Sequence, residues 1–103
     1  MSFETQDRLD GKVVVITGGK GAIGMASATR LAARGARIVS LDRTGSDAVQ
    51  VQLNALPGAG AAQHFTVTAS ITDGASLVAA AAQVKERAGR CDILINSAGF
   101  TKA

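Results

Sequence analysis

The 103-residue sequence has no tryptophan or tyrosine and contains one proline, one cysteine and 3% aromatic residues. A single cysteine, Cys91, excludes an internal disulfide and a cysteine cluster for zinc, and no other metal site is indicated. Cys91 is expected to be a half-buried structural residue at the start of a strand. The scarcity of aromatic side chains removes the stacking platforms on which binders of single-stranded nucleic acids depend.

Long runs of charge or of apolar residues are also missing. The 11 lysines and arginines give a net charge of +3 but are scattered along the chain, so no nucleic-acid partner is expected. No stretch approaches the ~18 apolar residues of a membrane span, and the polar start MSFETQDRLDGK lacks the apolar segment of a signal peptide. We therefore expect a cytoplasmic protein without membrane contact, with residues 1–103 forming one domain.

Short β-branched runs alternate with alanine-rich amphipathic stretches along the whole chain. Pro57 and Gly89 are expected to follow helix ends, and Thr72 or Asp73 to cap a helix start. The predicted strands cover 12–17, 37–41, 63–68 and CDILINSAG from 91, and the predicted helices cover 23–34, 46–56 and a stretch within 72–89. The residues expected to face the core from the last two helices are Val49, Leu53, Leu56, Leu77, Ala81 and Val84.

The order of these elements predicts the fold class. Strands separated by helices cannot form hairpins, so they imply right-handed crossovers and a parallel sheet with helices on both faces. The sequence thus predicts a doubly wound, Rossmann-like α/β fold of about four strands in the order 3-2-1-4. Ligands in such sheets bind beyond the carboxyl ends of the strands where the order reverses, here between the first and fourth strands.

A glycine-rich turn leaves the first strand in the sequence VVVITGGKGAIG, residues 13–24. Gly19, Gly21 and Gly24 form the pattern G-x-G-x-x-G, which lets the backbone approach a pyrophosphate closely. The amide groups at the start of the following helix would then meet the anion. The pattern predicts a dinucleotide site, and the alternative is a tight strand–helix turn that binds nothing.

The acidic residue Asp42 ends the second strand and lies 18 residues after Gly24. This spacing is close to the ~20 residues expected between the glycines and a ribose-binding acid. A carboxylate there can accept hydrogen bonds from both ribose hydroxyls and would repel a 2′-phosphate, which favours NAD over NADP. Lys20 or Arg43 could instead pair with that phosphate, so NADP stays open. Asp42 could also be a solvated loop carboxylate.

Four segments resemble the short-chain dehydrogenase/reductase family, from Leu9 to the last residue: LDGKVVVITGGKGAIG, ARGARIVSLDR, ITDGASL and CDILINSAG. Gly18 and Gly24 match the family pattern T-G-x-x-x-G-x-G, but Ala22 stands in place of the middle glycine. The same stretch also fits the pattern T-G-x-x-G-x-x-G, through Thr17, Gly18, Gly21 and Gly24. That pattern is typical of the epimerase-like branch of the family, which acts on nucleotide sugars. DILINSAG favours the dehydrogenase branch.

The resemblance implies a site for each part of the dinucleotide. Ser70 stands where the family usually has an aspartate that accepts a hydrogen bond from the adenine amino group, and a hydroxyl accepts more weakly. Asn96 could alternatively only stiffen the turn after the fourth strand. The implied cofactor residues are Gly18, Ile23 and Gly24 at the pyrophosphate, Asp42 at the ribose, Ser70 and Ile71 at the adenine, and Asn96, Ala98 and Gly99 at the nicotinamide ribose.

The catalytic group that the resemblance implies, a serine with Tyr-x-x-x-Lys, has no counterpart in a sequence without tyrosine. His64 and Asp92 are expected to be structural. We therefore expect the cofactor-binding half of an oxidoreductase that does not transfer hydride alone. The alternatives are a non-catalytic nucleotide-binding or regulatory module, an epimerase-like fragment, and a chain that retains only the fold.

The fourth strand would form an edge of the sheet over residues 92–97, DILINS. Unpaired amide and carbonyl groups at such an edge recruit partners. The sequence therefore predicts a homo-oligomer, formed through this edge or through uncovered helix faces.

Overall fold

The computed structural model describes residues 8–18, 21–44, 46–58, 63–70 and 72–97. The strands are β1 (Val13–Thr17), β2 (Arg37–Asp42), β3 (Phe65–Thr68) and β4 (Ile93–Asn96), and the helices are α1 (Ala22–Ala33), α2 (Ser46–Asn54) and α3 (Gly74–Ala88). These are the predicted elements, most of them slightly shorter than expected. Within the described residues, no helix has the length and apolar character needed to cross a membrane.

All strand pairs are parallel, and the order β3-β2-β1-β4 is the predicted one. The register places Val15 of β1 between Val39 of β2 and Leu94 of β4. The chain runs outward from β1 through β2 to β3 and then returns past β1 to β4. The direction of winding therefore changes between β1 and β4, and this is the switch point of the sheet.

Two hydrophobic cores lie on opposite faces of the sheet. Alternate residues of β1 divide between them, because successive side chains of a strand point to opposite faces. One core joins strand residues to α1 and α2: Val14, Ile16, Ala28, Ala32, Ala36, Ile38, Val49 and Leu53. The other joins them to α3: Val13, Val15, Val39, Leu41, Phe65, Val67, Ala69, Ala80 and Val84.

The core face of α3 corrects one prediction. Ala81 was expected to face inward, but it is exposed, and Ala80 is buried in its place. Ala80 precedes Val84 by one helical turn of four residues, so the two share a face. Leu77 is only half-buried, whereas Val49 and Leu53 of α2 are fully buried as expected.

The ends of α3 follow the sequence signals. The Asp73 side chain accepts hydrogen bonds from the amides of Ala75 and Ser76, so Asp73 rather than Thr72 is the N-cap. At the other end, Gly89 takes a left-handed conformation with φ 79°. This conformation suits glycine and lets the Gly89 amide bond to the last carbonyls of the helix.

The outer edge of β3 is closed by a side chain from α2. The Gln50 carboxamide donates to the His64 carbonyl over 2.9 Å and accepts from the Thr66 amide over 3.1 Å. Gln50 thus presents the donor and acceptor that a further strand would present. Gln50 therefore blocks the pairing of another strand with β3 at this position. The other edge strand, β4, has no such side-chain cover among the described residues.

His64, which lies just before β3, ties three segments together. Its Nδ1 accepts a hydrogen bond of 2.9 Å from the Ile38 amide, and its Nε2 lies 2.9 Å from the Pro57 carbonyl oxygen. An acceptor at Nδ1 and a donor at Nε2 together define a neutral imidazole. His64 is buried and far from the carboxyl ends of the strands, so it is structural, as predicted.

Replacing His64 by phenylalanine tests this role. The substitution leaves the buried Ile38 amide without its acceptor, and we expect a loss of about 1–3 kcal/mol in the free energy of unfolding. Urea unfolding followed by far-UV circular dichroism measures it. The exposed helix substitution Gln83→Ala serves as the control and should change stability by no more than about 0.5 kcal/mol. Equal stability of His64→Phe and the wild type would contradict the assignment.

Candidate functional site

The carboxyl ends of β2, β1 and β4 lie side by side, and the switch point lies between the last two. In the register, Thr17 at the end of β1 pairs with Leu41 of β2 on one side and with Asn96 of β4 on the other. Asp42, the last residue of β2, lies one residue beyond Leu41. Parallel pairing therefore places Asp42, Asn96 and the turn after β1 at the same end of the sheet, where the carboxyl ends of the strands lie.

The turn after β1 is tight and begins at Gly18. The Gly18 amide donates to the Leu41 carbonyl over 2.8 Å, and the Gly21 amide donates to the Gly18 carbonyl over 3.1 Å. Gly18 has φ 74°, a conformation that costs other residues roughly 1–2 kcal/mol. Gly21 is extended, with φ −76°, and a Cβ there would make an ordinary contact 3.4 Å from the Gly18 carbonyl oxygen. Among the described glycines of this turn, Gly18 is thus the one that the backbone geometry requires, while Gly19 and Lys20 lie outside the described residues.

Helix α1 begins without a side-chain cap. Gly21 is the N-cap and has no side chain to offer, and no acidic residue lies in the first turn. The first intrahelical hydrogen bond runs from the Met25 amide to the Gly21 carbonyl over 2.9 Å. The amides before Met25 belong to the set that a helix cannot satisfy itself, and they lie at the positive end of the helix dipole. Such a terminus binds anions.

The first turn of α1 contains one buried residue and two exposed residues. Gly24 is buried, whereas Ala22 is exposed and Ile23 is 75% exposed. The missing side chain of Gly24 lets the helix lie close to the sheet, while Ala22 and Ile23 face away from the core. Ile23 would therefore contribute to an anion site through its backbone amide.

Asp42 is buried at the end of β2, with 3% of its surface exposed. This burial rules out the alternative of a solvated loop carboxylate. Its Oδ2 accepts a hydrogen bond of 2.5 Å from the hydroxyl of Ser40, a residue that the sequence analysis did not select. The signal for Ser40 was a polar side chain two residues before Asp42 in an otherwise apolar strand. Arg43, the next residue, is exposed.

Side chains fasten the end of β4 to β1. The Thr17 hydroxyl donates to Asn96 Oδ1 over 2.8 Å, and the Ser97 hydroxyl donates to the Thr17 carbonyl over 2.6 Å. Asn96 thus stiffens this end of the sheet, which is one of its two predicted roles. Its role at the nicotinamide ribose stays a prediction, and Ala98 and Gly99 lie outside the described residues.

Ser70 follows β3 and is held within the turn that leads to α3. Its amide donates to the Ser76 hydroxyl over 2.9 Å, and its own hydroxyl shares a hydrogen bond of 3.0 Å with that of Thr72. The half-buried Ser70 is thus tied to its neighbours along the chain, and its contact with adenine stays a prediction. Ile71 lies outside the described residues.

An apolar cleft of about 660 Å³ runs between α3 and β4 on the face of the sheet that carries α3. Its walls include Leu77, Val84 and Leu94, and it extends from Asn96 at the carboxyl end of β4 to Cys91 before its start. Leu94 is 65% exposed and Cys91 is exposed, so the prediction that Cys91 is half-buried is wrong. The cleft follows the whole length of β4. It is therefore an uncovered part of the sheet face, and it differs from a ligand crevice beyond the strand ends.

Asp92 anchors the opposite end of β4. Its carboxylate accepts hydrogen bonds from the Val13 amide over 2.8 Å and from the Arg90 guanidinium over 2.7 and 2.8 Å. The Arg90 hydrogen bonds are the largest cause that lowers the pKa of Asp92 from its ordinary value, followed by the Val13 amide. Asp92 is structural, as predicted.

Comparison with known proteins identifies relatives over nearly the whole chain. A family model described as short chain dehydrogenase matches residues 12–103. D-threitol dehydrogenase of Mycolicibacterium smegmatis is 41% identical over 104 residues, which cover 99% of this chain and 38% of that protein. A 1,6-dihydroxycyclohexa-2,4-diene-1-carboxylate dehydrogenase of Pseudomonas putida is 40% identical over 94 residues, or 91% of this chain and 34% of that protein. The chain spans little more than a third of the length of these relatives.

Solved structures share the fold. NAD⁺-bound xylitol dehydrogenase matches with a TM-score of 0.82 and 26% identity, covering 94% of this chain and 36% of that one. A putative D-mannonate oxidoreductase from Haemophilus influenza with bound NAD matches with a TM-score of 0.81 over 98% of this chain and 35% of that one. Its 24% identity supports the likeness of the fold alone.

The lowered pKa of Asp92 predicts how stability changes in acid. The folded chain holds the carboxylate ionised more strongly than the unfolded chain does, so its contribution is complete above about pH 4–5 and is lost as the pH falls through the folded-state value. In urea unfolding between about pH 6 and pH 2, Asp92→Asn should reduce the loss of stability on acidification. Arg90→Gln, which removes the larger cause, should give an intermediate profile. A profile of Asp92→Asn identical to that of the wild type would contradict the assignment.

Proposed function

Since the chain belongs to the short-chain dehydrogenase family, we propose that it is the dinucleotide-binding portion of an oxidoreductase and that it prefers NAD to NADP. The family binds NAD(P) dinucleotides. The observation that carries the proposal is that two features occur at the carboxyl ends of the neighbouring strands β1 and β2: an uncapped helix start after β1, which suits a diphosphate, and a buried carboxylate at the end of β2, which suits a ribose.

The pyrophosphate would lie against the start of α1. The amides of Ala22, Ile23 and Gly24 precede the first intrahelical hydrogen bond and can donate to its oxygens. Gly18 lets the chain turn sharply from β1 towards this position. The absence of any acidic residue in the first turn of α1 means that no fixed negative charge there opposes the anion.

The adenosine ribose would lie at Asp42. A carboxylate accepts hydrogen bonds from both hydroxyls of the diol, whereas it repels the 2′-phosphate of NADP. Arg43 is exposed next to it and is the described cation best placed to favour NADP. We expect the buried carboxylate to dominate, because charges excluded from water interact more strongly than exposed ones. The nicotinamide ribose would lie at Asn96.

The nicotinamide ring, when bound, accepts or supplies a hydride. The chain's own residues would bind the dinucleotide and orient it, with Thr17 holding the Asn96 carboxamide in place. The sequence contains no tyrosine to serve as the family's acid or base, so we propose no catalytic residue in this chain. We expect the 103 residues alone to bind the cofactor without turnover. The single cysteine suits a reducing, cytoplasmic location.

The proposal for Asp42 is tested by comparing the affinities of two dinucleotides. We expect Asp42→Ala to weaken NAD binding about 10- to 100-fold, the effect of losing hydrogen bonds to a charged group, and to weaken NADP binding less. Isothermal titration of the 103-residue chain with each dinucleotide measures both. Asp47→Ala, which removes an exposed carboxylate from α2, is the matched control and should leave both affinities unchanged. An equal loss for NAD and NADP would mean that Asp42 does not recognise the ribose.

We also propose that the chain self-associates through β4. Among the described residues β4 pairs only with β1, and its Leu94 side chain faces the open cleft. Since Gln50 closes the β3 edge, β4 is the strand that can accept a second copy.

Light scattering over a range of concentrations tests this association. We expect a mass above that of the monomer, and Ile95→Pro, which places a residue without an amide hydrogen in β4, should lower it. Gln83→Ala on the exposed surface of α3 is the control. A monomer mass at every concentration would contradict the proposal.

A further inference from the structure

Ser40 is a buried hydroxyl that lies beside two buried isoleucines of β1 and β2. It pairs with Ile16 of β1 in the register and lies two residues from Ile38, so the three side chains share one face. Ser40 is 1% exposed, and both isoleucines are fully buried. A buried hydroxyl destabilises a protein unless it finds a hydrogen-bond partner, whereas an alanine or a valine would need none. The presence of serine here therefore calls for a physical reason.

The partner of Ser40 is the carboxylate proposed to bind the ribose. The Ser40 hydroxyl donates to Asp42 Oδ2 over 2.5 Å, which is at the short end of the range for a hydroxyl donor. Residues i and i+2 of a strand lie on the same face, so the strand itself brings the two groups together. Both residues are at least 97% buried, so water competes weakly for this hydrogen bond.

A hydrogen bond to Oδ2 fixes the orientation of the carboxylate before any ligand arrives. A carboxylate has about four acceptor sites, and Ser40 occupies one of them. The carboxylate then does not have to be ordered when the ligand binds, and this preorganisation favours affinity. The same restraint prevents the carboxylate from turning away from a 2′-phosphate.

We propose that Ser40 is a positioning residue that holds the Asp42 carboxylate in place and thereby sets the preference for NAD over NADP. The inference rests on the proposed function, because it takes Asp42 to be the ribose-binding group. Ser40 acts through Asp42 and does not itself touch the dinucleotide. Since Asp42 is 3% exposed, a ribose can contact it only when the residues that cover it move aside.

The test measures the dissociation constants of NAD and NADP for the 103-residue chain by isothermal titration. Ser40→Ala should weaken NAD binding about five- to tenfold, the effect of one hydrogen bond, and leave NADP binding unchanged or stronger. A matched pair, Ser40→Thr and Ser40→Val, differs in the hydroxyl alone. Ser40→Thr should retain more of the NAD preference than Ser40→Val does, and this pair carries the test if Ser40→Ala does not fold.

A double-mutant cycle separates positioning from a purely structural role. In the background of Asp42→Asn, Ser40→Ala should have no further effect on the ratio of the two dissociation constants. A proportional loss of NAD and NADP affinity, or an unchanged ratio in all Ser40 variants, would overturn the proposal and leave the site intact. A wild-type chain that binds neither dinucleotide would overturn the proposed function itself, and the inference with it.

Discussion

The parallel pairing of β1 with β2 on one side and with β4 on the other is the constraint on which the site depends. It places Thr17 between Leu41 and Asn96, so the carboxyl ends of β2, β1 and β4 lie side by side. The Gly18 amide then bonds to the Leu41 carbonyl, and α1 begins four residues later. Because β1 and β2 are parallel neighbours, the helix start after β1 and the buried carboxylate at the end of β2 both follow the carboxyl ends of adjacent strands.

Hydrogen bonds from polar side chains reinforce the backbone pairing of the sheet. At the carboxyl end of the sheet, Thr17 bonds to Asn96; at the opposite end, Asp92 bonds to the Val13 amide. Along the β3 edge, Gln50 satisfies backbone groups that a further strand would otherwise satisfy, and the His64 ring accepts from the Ile38 amide of β2. Among the described residues, β4 is therefore the edge strand without such a side-chain cover, and the cleft lies beside it. That uncovered edge is consistent with a chain that spans about a third of the length of its relatives.

The fold could be predicted from the sequence because it follows from local patterns and general rules. β-branched runs predict strands, alanine-rich periodic stretches predict helices, and their alternation predicts a doubly wound parallel sheet with the strand order typical of that fold. The side-chain contacts could not be predicted, because they join residues distant in sequence or depend on exact rotamers. Ser40 was not anticipated as a partner of Asp42, and Ala81 was placed in the core position that Ala80 occupies. Composition also could not show that Gly18, rather than Gly21, needs a positive φ.

We propose that the start of α1 and the end of β2 form one dinucleotide site. Amide chemical shifts of the ¹⁵N-labelled 103-residue chain, followed during titration with NAD, test this proposal. We expect saturable changes at Gly18, at 21–24 and at Asp42, with none at the start of β2 near Ile38 or at Asp92. Shifts that do not change, or that change only at the amino-terminal ends of the strands, would contradict it.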